Sequence, residues 1–287
     1  MTEDNIIDGK KISKLMLQDL KSKNDAYLAA GNKAACLAII MVGNNPASEV
    51  YIKNKRKAAA VVGIESRLIH LSEKISEEEL LEQIQLLNND AEVSGIIVQL
   101  PIPDHIDKNK VINTINPNKD VDGFHPLNVG KLYSPENNNF VPCTALGCLR
   151  LIKSCVNNLS GKQVVMIGRS SIVGRPLAAL LLKEDCTITI CHSKTKNLQS
   201  LTKQADIVIS AIGRPQYLTK DYFSKHAIVI DVGISKIKFG DKHKLVGDVD
   251  FENVRSNVAH ITPVPGGVGP MTVAYLLINT FNAKLNQ

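Results

Sequence analysis

The sequence contains no tryptophan and few aromatic residues, and it lacks any long uninterrupted apolar run. Phe, Trp and Tyr together make up 4% of its 287 residues. A transmembrane helix needs about 18 or more consecutive apolar residues, and no such stretch occurs. The first residues, MTEDNIIDGKK, include early acids and lack the apolar segment of a secretory signal. We therefore expect a cytoplasmic protein without a membrane anchor.

The sequence also lacks the cysteine spacing of a metal or redox site. Its six cysteines are scattered, with no C-x-x-C pair and no nearby histidine pair at metal-ligand spacing. Most lie in or beside apolar runs, which favours small core residues over ligands or redox groups. No metal site is predicted.

A concentrated basic stripe is absent as well. The formal net charge is +6, but lysines and arginines are interleaved with acids along the chain. Nucleic-acid binding needs clustered basic residues, often with stacking aromatic side chains. No nucleic-acid partner is therefore predicted, whereas a modest positive field suits a small anionic ligand.

Length and apolar pattern together predict two α/β domains. In the first half, apolar runs such as CLAIIMVG and GIIVQLP alternate with helical patterns in the order β-α-β-α-β, and the second half repeats this alternation. Alternation of this kind predicts a mainly parallel sheet with flanking helices in each domain, the second Rossmann-like.

The Asn-, Pro- and Gly-rich segment 116–142 interrupts the alternation and is predicted to be a long connection. We place the first domain at residues 1–142 and the second at residues 143–269. The last helix, 270–287, is expected to pack back on the first domain. A cleft between the two domains is the expected ligand site.

The stretch VVMIGRSSIVGRP, residues 164–176, predicts a buried strand, a glycine turn and a helix. Such a turn places free backbone N–H groups and the positive end of a helix where a pyrophosphate can dock. Gly168 would form the turn, and Gly174 would let the helix approach the sheet. Because the spacing is not G-x-G-x-x-G, a tight turn without a ligand stays an alternative.

The end of the next strand favours NADP over NAD. NAD-binding Rossmann units usually carry an acid about 20 residues beyond the glycines, where it binds the ribose 2′-hydroxyl. Here the strand TITIC is followed by HSKT, which contains no acid. A carboxylate would repel a 2′-phosphate, whereas Ser193 and a basic group such as Arg169 would hold it. Lys194 fits an ordinary solvated charge equally well.

Two later strands also end in glycine, Gly213 in SAIGRP and Gly233 in IDVGI. Ligands of open α/β sheets bind beyond the carboxyl ends of the strands. Each glycine alone fits a plain turn, but their recurrence indicates a cofactor that passes close to the backbone.

In the first half, ASEVYIKNKRK spaces Ser48, Tyr51 and Lys55 so that they share one face of a helix. A solvated polar face is the alternative. The Tyr-x-x-x-Lys spacing also occurs in short-chain dehydrogenases, but there it follows the glycine turn, whereas here it precedes the turn by over a hundred residues.

Three further polar residues stand out. Gln99 lies inside the apolar run GIIVQLP at the carboxyl end of a strand, where a buried amide needs partners. Asp120 and Asp122 flank a valine in KDVDGFHP, and such acids can also serve simply to stabilise a loop.

These motifs together resemble one family over nearly the whole chain. The resemblance rests on ASEVYIKNKRKAAAVVGI, GIIVQLPIP, NPNKDVDGFHPLNVGKL, IGRSSIVGRP, CHSKT, DVGI, VGDVDF and TPVPGGVGPMT, in the family's order and approximate spacing. The sequence is similar to the bifunctional methylenetetrahydrofolate dehydrogenase/methenyltetrahydrofolate cyclohydrolases. It departs from them at Ala145 in PCTALG, where the family usually has a second proline. Only a small local effect is expected there, because that residue would begin a helix.

The resemblance implies oxidation of 5,10-methylenetetrahydrofolate to the methenyl form with NADP, followed by hydrolysis to 10-formyltetrahydrofolate. It implies that Lys55 is the principal catalytic residue and that Tyr51 stacks on the folate. It further implies that Gln99 binds Lys55 or the substrate and that Asp122 anchors the pterin ring.

The resemblance and the strand-end glycines also imply the remaining ligand contacts. Further folate contacts are expected from Ser48, Val98, Leu100, Pro101, Gly267, Gly269 and Pro270. NADP contacts are expected from Thr144, Gly168, Arg169, Ser170, Ile172, Ser193, Gly213, Gly233 and Ile234. A homodimer formed through the second domain is expected by the same resemblance.

Two other functions stay open at this point. One is an NAD-dependent dehydrogenase without cyclohydrolase activity. The other is a non-catalytic nucleotide-binding protein, which would have no reason to combine the polar residues of the first domain with a complete glycine turn.

Overall fold

The chain folds into two compact units, seen in a computed structural model that describes residues 5–134, 140–240 and 242–287. Lys14–Cys143 and Val273–Gln287 form the three-stranded unit, named after its sheet. Residues up to Ser13 and Thr144–Thr272 form the five-stranded unit. The domain bounds inferred from the sequence stay predictions.

The three-stranded unit alternates helices and strands. Its elements are α1 (Gly9–Ala29, from residue 14), β1 (Cys36–Val42), α2 (Pro46–Val61), β2 (Glu65–Leu71), α3 (Glu77–Asn89), β3 (Gly95–Val98), α4 (Lys108–Thr114), α5 (Pro126–Lys131) and α10 (Val268–Leu285, from residue 273). The strands lie in the order β2-β1-β3 and are parallel, which confirms the predicted β-α-β-α-β arrangement.

The two faces of this sheet bury different cores, because successive side chains of a strand point to opposite faces. Leu37 and Ile39 of β1 pack with apolar residues of α1, α2 and α10, among them Phe281. Ala38 and Ile40 pack with residues of α3 and α4. Helices therefore cover both faces, which explains why β1 is buried along its whole length.

Local sequence accounts for the start of the helices in this unit. Ser76 caps α3 and accepts a hydrogen bond from the backbone of Glu79, whose carboxylate accepts the N–H of Ser76 in return. This reciprocal pair of hydrogen bonds is a capping box. Asn45 caps α2, and Pro46 occupies its first turn.

The five-stranded unit carries the second sheet. Its elements are α6 (Cys143–Lys153, from residue 144), β4 (Gln163–Ile167), α7 (Gly174–Lys183), β5 (Thr187–Cys191), α8 (Leu198–Gln204), β6 (Ile207–Ser210), β7 (Ile228–Asp231), β8 (Ser235–Phe239), β9 (Lys242–Val246), α9 (Phe251–Val254) and β10 (His260–Ile261). The main sheet is parallel in the order β10-β7-β6-β4-β5. The predicted fold class is confirmed.

The sequence did not predict two parts of the β structure of this unit. One is the antiparallel hairpin of β8 and β9, whose sequence SKIKFGDKHKLV is too rich in charge to look like a core strand. The other is β10, which has only two residues. Within the predicted connection 116–142, α5 is a short helix, and residues 135–139 lie outside the described part of the chain.

Over the ranges that the structure describes, no helix combines the length and the apolar character needed to span a bilayer.

Candidate active site and cofactor-binding turn

Helix α2 carries three of the predicted site residues. Ser48 and Lys55 are buried, Lys55 with 8% of its surface exposed, whereas Tyr51 keeps 40% exposed. Burial of a lysine is unusual, since its ammonium group is strongly hydrated in water. Lys55 therefore differs from its solvent-exposed neighbours Lys53 and Arg56, and the solvated-face alternative does not describe it.

The Lys55 ammonium donates to the side-chain amide of Gln99. The Nζ to Oε1 distance is 3.0 Å. The other end of the amide, Nε2, donates to the carbonyl of Leu100 at 2.8 Å, while the Gln99 backbone N–H donates to the carbonyl of Ile40 in β1 at 2.8 Å. The amide is thus fixed so that its oxygen faces the lysine.

The segment that follows Gln99 borders an open pocket. Val98 is buried at the end of β3, and Leu100 and Pro101 come directly after Gln99. A pocket of about 490 Å³ is lined by Leu100, Pro101, Ile102, Pro103, Asp104, Ile106 and Lys108. Leu100 and Pro101, two of the predicted folate contacts, therefore lie beside accessible space.

Asp122 lies close enough to Lys55 for the two charges to interact. Burial raises the pKa of the Asp122 carboxyl above its usual value, and the positive charge of Lys55 offsets only part of this rise. The structure thus brings Lys55, Gln99 and Asp122 together, as the sequence predicts. An ammonium group, an amide and a carboxylate in one partly buried place can hold and move a proton.

The turn that carries Asp122 is held by Asp120. Its carboxylate accepts the backbone N–H groups of Phe124 at 3.1 Å and His125 at 2.8 Å, and the side-chain amide of Asn128 at 2.9 Å. Desolvation raises the pKa of Asp120 to about 6. The loop-stabilising alternative therefore describes Asp120.

Asn279 of α10 supports the same turn, and sequence reasoning missed it. Its side chain donates to the carbonyl of Val121 at 2.9 Å. The available signal was an amide within an apolar helix, because a buried amide must find partners.

In the five-stranded unit, the glycine turn after β4 has the close contacts that the sequence predicts. Gly168 has a φ of 119°, and a Cβ there would lie 2.5 Å from the carbonyl oxygen of Ala211. A Cβ on Gly174 would lie 2.4 Å from the carbonyl oxygen of Gly168. The Ser170 hydroxyl accepts the backbone N–H of Val173 at 3.2 Å. Only glycine fits both close approaches.

The residues proposed to bind a 2′-phosphate, Arg169 and Ser193, are exposed beyond the ends of β4 and β5. Arg169 follows Gly168, and Ser193 lies in the turn after β5, where both side chains are open to solvent. The hydroxyl of Thr195 accepts the backbone N–H of His192 at 2.9 Å and fixes this turn. Since β4 and β5 are neighbouring parallel strands, both turns lie at the same edge of the sheet.

The other predicted cofactor positions are distributed around this sheet. Gly213 follows β6, and Gly233 and the exposed Ile234 follow β7, so they share the edge with Gly168. Ile172 lies in the turn before α7. Thr144, near the start of α6, has its hydroxyl 3.2 Å from that of Thr272.

The remaining predicted folate contacts lie in the segment around the start of α10. The N–H of Gly267 donates to the carbonyl of Pro263 at 2.9 Å. A Cβ on Gly9 would lie 1.8 Å from the carbonyl oxygen of Gly267, so the start of α1 packs directly on this segment. Gly269 and Pro270 occupy the first turn of α10.

Two family models match the chain. The catalytic domain of tetrahydrofolate dehydrogenase/cyclohydrolase matches residues 7–122, and the NAD(P)-binding domain of the same family matches residues 142–287. The chain belongs to the tetrahydrofolate dehydrogenase/cyclohydrolase family.

Relatives of this family match over nearly their full length. The bifunctional protein FolD of Rickettsia massiliae is 56% identical over 97% of this chain and 96% of the relative. The crystal structure of the bifunctional enzyme FolD from Campylobacter jejuni has a TM-score of 0.94 at 48% identity and covers 98% of each chain. The Trypanosoma brucei enzyme, complexed with NADP cofactor and an inhibitor, has a TM-score of 0.94 at 38% identity, covering 98% of this chain and 97% of that one.

These matches confirm the family inferred from the sequence, and with it a bifunctional dehydrogenase/cyclohydrolase that has an NAD(P)-binding domain. The roles of the individual residues stay predictions.

The burial of Asp120 predicts a pH dependence of stability. Its pKa rises from 3.8 to about 6 on folding, so the folded state binds more protons between these values and stability falls as the pH rises from about 4 to 6. Asp120→Asn removes this titration. The free energy of unfolding of the wild type, relative to the variant, should fall by roughly 3 kcal/mol at most over this range.

Urea unfolding at a series of pH values measures this difference. Asp104→Asn, at an exposed position of the same unit, is the matched control and should follow the wild type. A difference between wild type and Asp120→Asn that does not change with pH would contradict the prediction.

Proposed function

We propose that the chain oxidises 5,10-methylenetetrahydrofolate to 5,10-methenyltetrahydrofolate with NADP and then hydrolyses the product to 10-formyltetrahydrofolate. The observation that carries this proposal is the contact between buried Lys55 and Gln99, with the carboxylate of Asp122 close by. On a solvated helix face, a lysine would be exposed to water and would need no fixed amide partner.

The first step needs positioning more than it needs a base. Hydride leaves a carbon flanked by two nitrogens, whose lone pairs stabilise the resulting cation. Asp122 would accept two parallel N–H bonds from the amino-pyrimidine edge of the pterin, as a carboxylate does from arginine. The half-exposed ring of Tyr51 would stack on the folate. When bound, NADP accepts the hydride.

The second step needs a group that handles a proton. Water attacks the amidinium carbon of the methenyl form, and a proton must then leave that water and reach a nitrogen. Lys55 would hold and transfer this proton, with Gln99 keeping the amine in place at 3.0 Å. Ser48, Val98, Leu100 and Pro101 would contact the folate around these groups, as would Gly267, Gly269 and Pro270.

The glycine turn of the five-stranded unit fits a dinucleotide. A Cβ on Gly168 would meet the backbone of Ala211, and one on Gly174 would meet that of Gly168, so β4, the turn and α7 pack tightly. The free N–H groups at the start of α7 would then bind a pyrophosphate. Arg169 and Ser193 would hold the 2′-phosphate, because the turn after β5 offers no acid to repel it. This charge pattern favours NADP over NAD.

The same unit supports the proposal of a homodimer. Strand β5 ends the sheet order, so one of its edges has no neighbouring strand among the described residues. It exposes Thr187, Thr189 and Ile190, the last with 41% of its surface. An edge of this kind can pair with a second copy. Cytoplasmic location and the lack of a nucleic-acid partner belong to the same proposal.

A spectroscopic assay tests both activities at once. Purified chain mixed with methylenetetrahydrofolate and NADP should produce reduced cofactor together with methenyl absorbance that then decays. No reduced cofactor would contradict the dehydrogenase and would favour a non-catalytic nucleotide-binding protein. Methenyl absorbance that accumulates without decay would contradict the cyclohydrolase alone.

Replacement of Lys55 should separate the two steps. In Lys55→Met, hydrolysis of methenyltetrahydrofolate should fall by about 100-fold or more, since proton transfer by a positioned group contributes at least this much. Oxidation should fall less, because it needs no base. Lys53→Met, an exposed position on the same helix, is the matched control. Hydrolysis near the wild-type rate in Lys55→Met would refute the assigned role.

Replacement of Arg169 should change the choice of cofactor. In Arg169→Ala, the KM for NADP should rise about tenfold or more, because a charged hydrogen bond to the 2′-phosphate is lost. The KM for NAD should stay near its wild-type value. Lys203→Ala, at the exposed end of α8, serves as the control for general loss of charge. Equal weakening of both cofactors would show that Arg169 does not read the 2′-phosphate.

A further inference from the structure

Two buried aspartates of the five-stranded unit join the turns that follow β6 and β7. Asp248 has no exposed surface and Asp231 has 2%. Neither position is among the predicted ligand contacts. Asp231 ends β7, where it pairs in register with Ser210 at the end of β6.

Asp248 holds the turn after β6. Its carboxylate accepts the hydroxyl of Ser210 at 2.9 Å and the backbone N–H groups of Ile212 at 2.9 Å and Arg214 at 2.8 Å. These two N–H groups flank Gly213, which has a φ of 66°. One carboxylate therefore fixes both sides of the glycine predicted to face the cofactor.

Asp231 in turn fixes the backbone of Asp248. Its carboxylate accepts the N–H groups of Gly233 at 3.0 Å, Asp248 at 2.9 Å and Val249 at 2.8 Å. Its own N–H donates to the hydroxyl of Thr262 at 2.8 Å. The turn after β7, which contains Gly233, is thereby tied to the segment that carries Asp248.

The fit around these carboxylates is close. A Cβ on Gly233 would lie 2.3 Å from Oδ1 of Asp248, and a Cβ on Gly247 would lie 1.9 Å from Oδ2 of Asp231. The absence of a side chain at both glycines leaves room for a carboxylate. Close packing against Asp248 is therefore a structural reason for glycine at Gly233, in addition to a cofactor that passes nearby.

Burial of these carboxyl groups is costly. Desolvation raises the pKa of Asp231 to about 7. In return, the two carboxylates fix the orientation of three backbone N–H groups beyond the carboxyl ends of β6 and β7 and of two more in the segment after β9. Turns at this edge of an α/β sheet are where a dinucleotide binds.

We propose that Asp248, held in place by Asp231, is a positioning residue for NADP binding. It orients the turn containing Gly213 and supports the turn containing Gly233, without contact to the cofactor. This inference rests on the proposed function, since it presupposes that the five-stranded unit binds NADP.

Asp248→Asn tests the inference. An amide has only one acceptor oxygen, so at least one backbone N–H of the turn loses its partner. The Kd for NADP, measured by titration calorimetry, should rise about tenfold or more. Hydrolysis of added methenyltetrahydrofolate in the absence of NADP should stay within about twofold of the wild type, because the residues proposed for it lie outside this unit's strand ends. A general loss of folding would reduce both.

Asp250→Asn is the matched control. It makes the same substitution two residues later, at a position whose carboxylate contacts the exposed side chain of Asn253 at 2.7 Å. It should change the Kd for NADP by no more than about twofold. A similar loss of affinity in both variants would overturn the inference.

A double-mutant cycle tests whether Asp248 affects NADP binding through the turn that contains Gly213. Gly213→Ala strains the same turn through its positive φ, whereas the added Cβ meets no atom of the described residues within 4 Å apart from its chain neighbours. If Asp248 acts through this turn, the effects of Asp248→Asn and Gly213→Ala on the Kd will be smaller in combination than their sum. Additive effects would overturn the inference.

Ser210→Ala covers the case in which Asp248→Asn does not fold. It removes one partner of the carboxylate and should speed hydrogen exchange at the amides of Ile212 and Arg214 while weakening NADP binding. Faster exchange with unchanged affinity would overturn the inference. If the wild-type chain does not bind NADP, both the proposed function and this inference are overturned. If the wild type binds NADP and Asp248→Asn binds it equally well, only this inference is overturned.

Discussion

Parallel strand pairing decides where the proposed ligand-binding residues of each unit can lie. In a parallel sheet the carboxyl ends of the strands meet at one edge, and the backbone groups beyond the last pair need new partners. The N–H of Gln99 still donates to Ile40, and the N–H of Gly168 still donates to Cys191. The proposed site residues Gln99 and Gly168 lie where this pairing ends, so the sheet anchors them, whereas Lys55 is carried by helix α2.

Both units use buried aspartates to satisfy the backbone beyond the strands. Asp120 accepts two backbone N–H groups next to Asp122, while Asp248 and Asp231 do the same for the turns that contain Gly213 and Gly233. Desolvation raises the pKa of Asp120 to about 6 and that of Asp231 to about 7, so each carboxylate is held at a cost in free energy. Water could satisfy an exposed turn at less cost, but it would not fix one conformation.

The sequence was most informative where function depends on local spacing. Helical spacing placed Lys55 with Tyr51, and the position of Gln99 in an apolar run indicated a buried amide with a partner. The contact of Asp231 with Asp248 was beyond this reasoning, because it joins residues 17 apart through the tertiary arrangement of two turns. The sequence identified Asp120 only as an acid that could stabilise a loop. Whether such a residue binds a ligand or stabilises a loop depends on which backbone N–H groups the fold brings to its carboxylate.

The geometry around Lys55 also explains why a lysine suits this position. An ammonium group has three donors, so one can stay on the oxygen of Gln99 while the others remain available to a reacting group. The amide of Gln99 donates to the carbonyl of Leu100, and this second hydrogen bond fixes the amide. Gln99 therefore holds the amine of Lys55 in one position. Arginine would bring a planar group that stays charged at any working pH, so it could not exchange a proton as Lys55 is proposed to do. The hydrolytic role proposed for Lys55 would therefore leave unobstructed an oxidation that needs only a well-positioned folate.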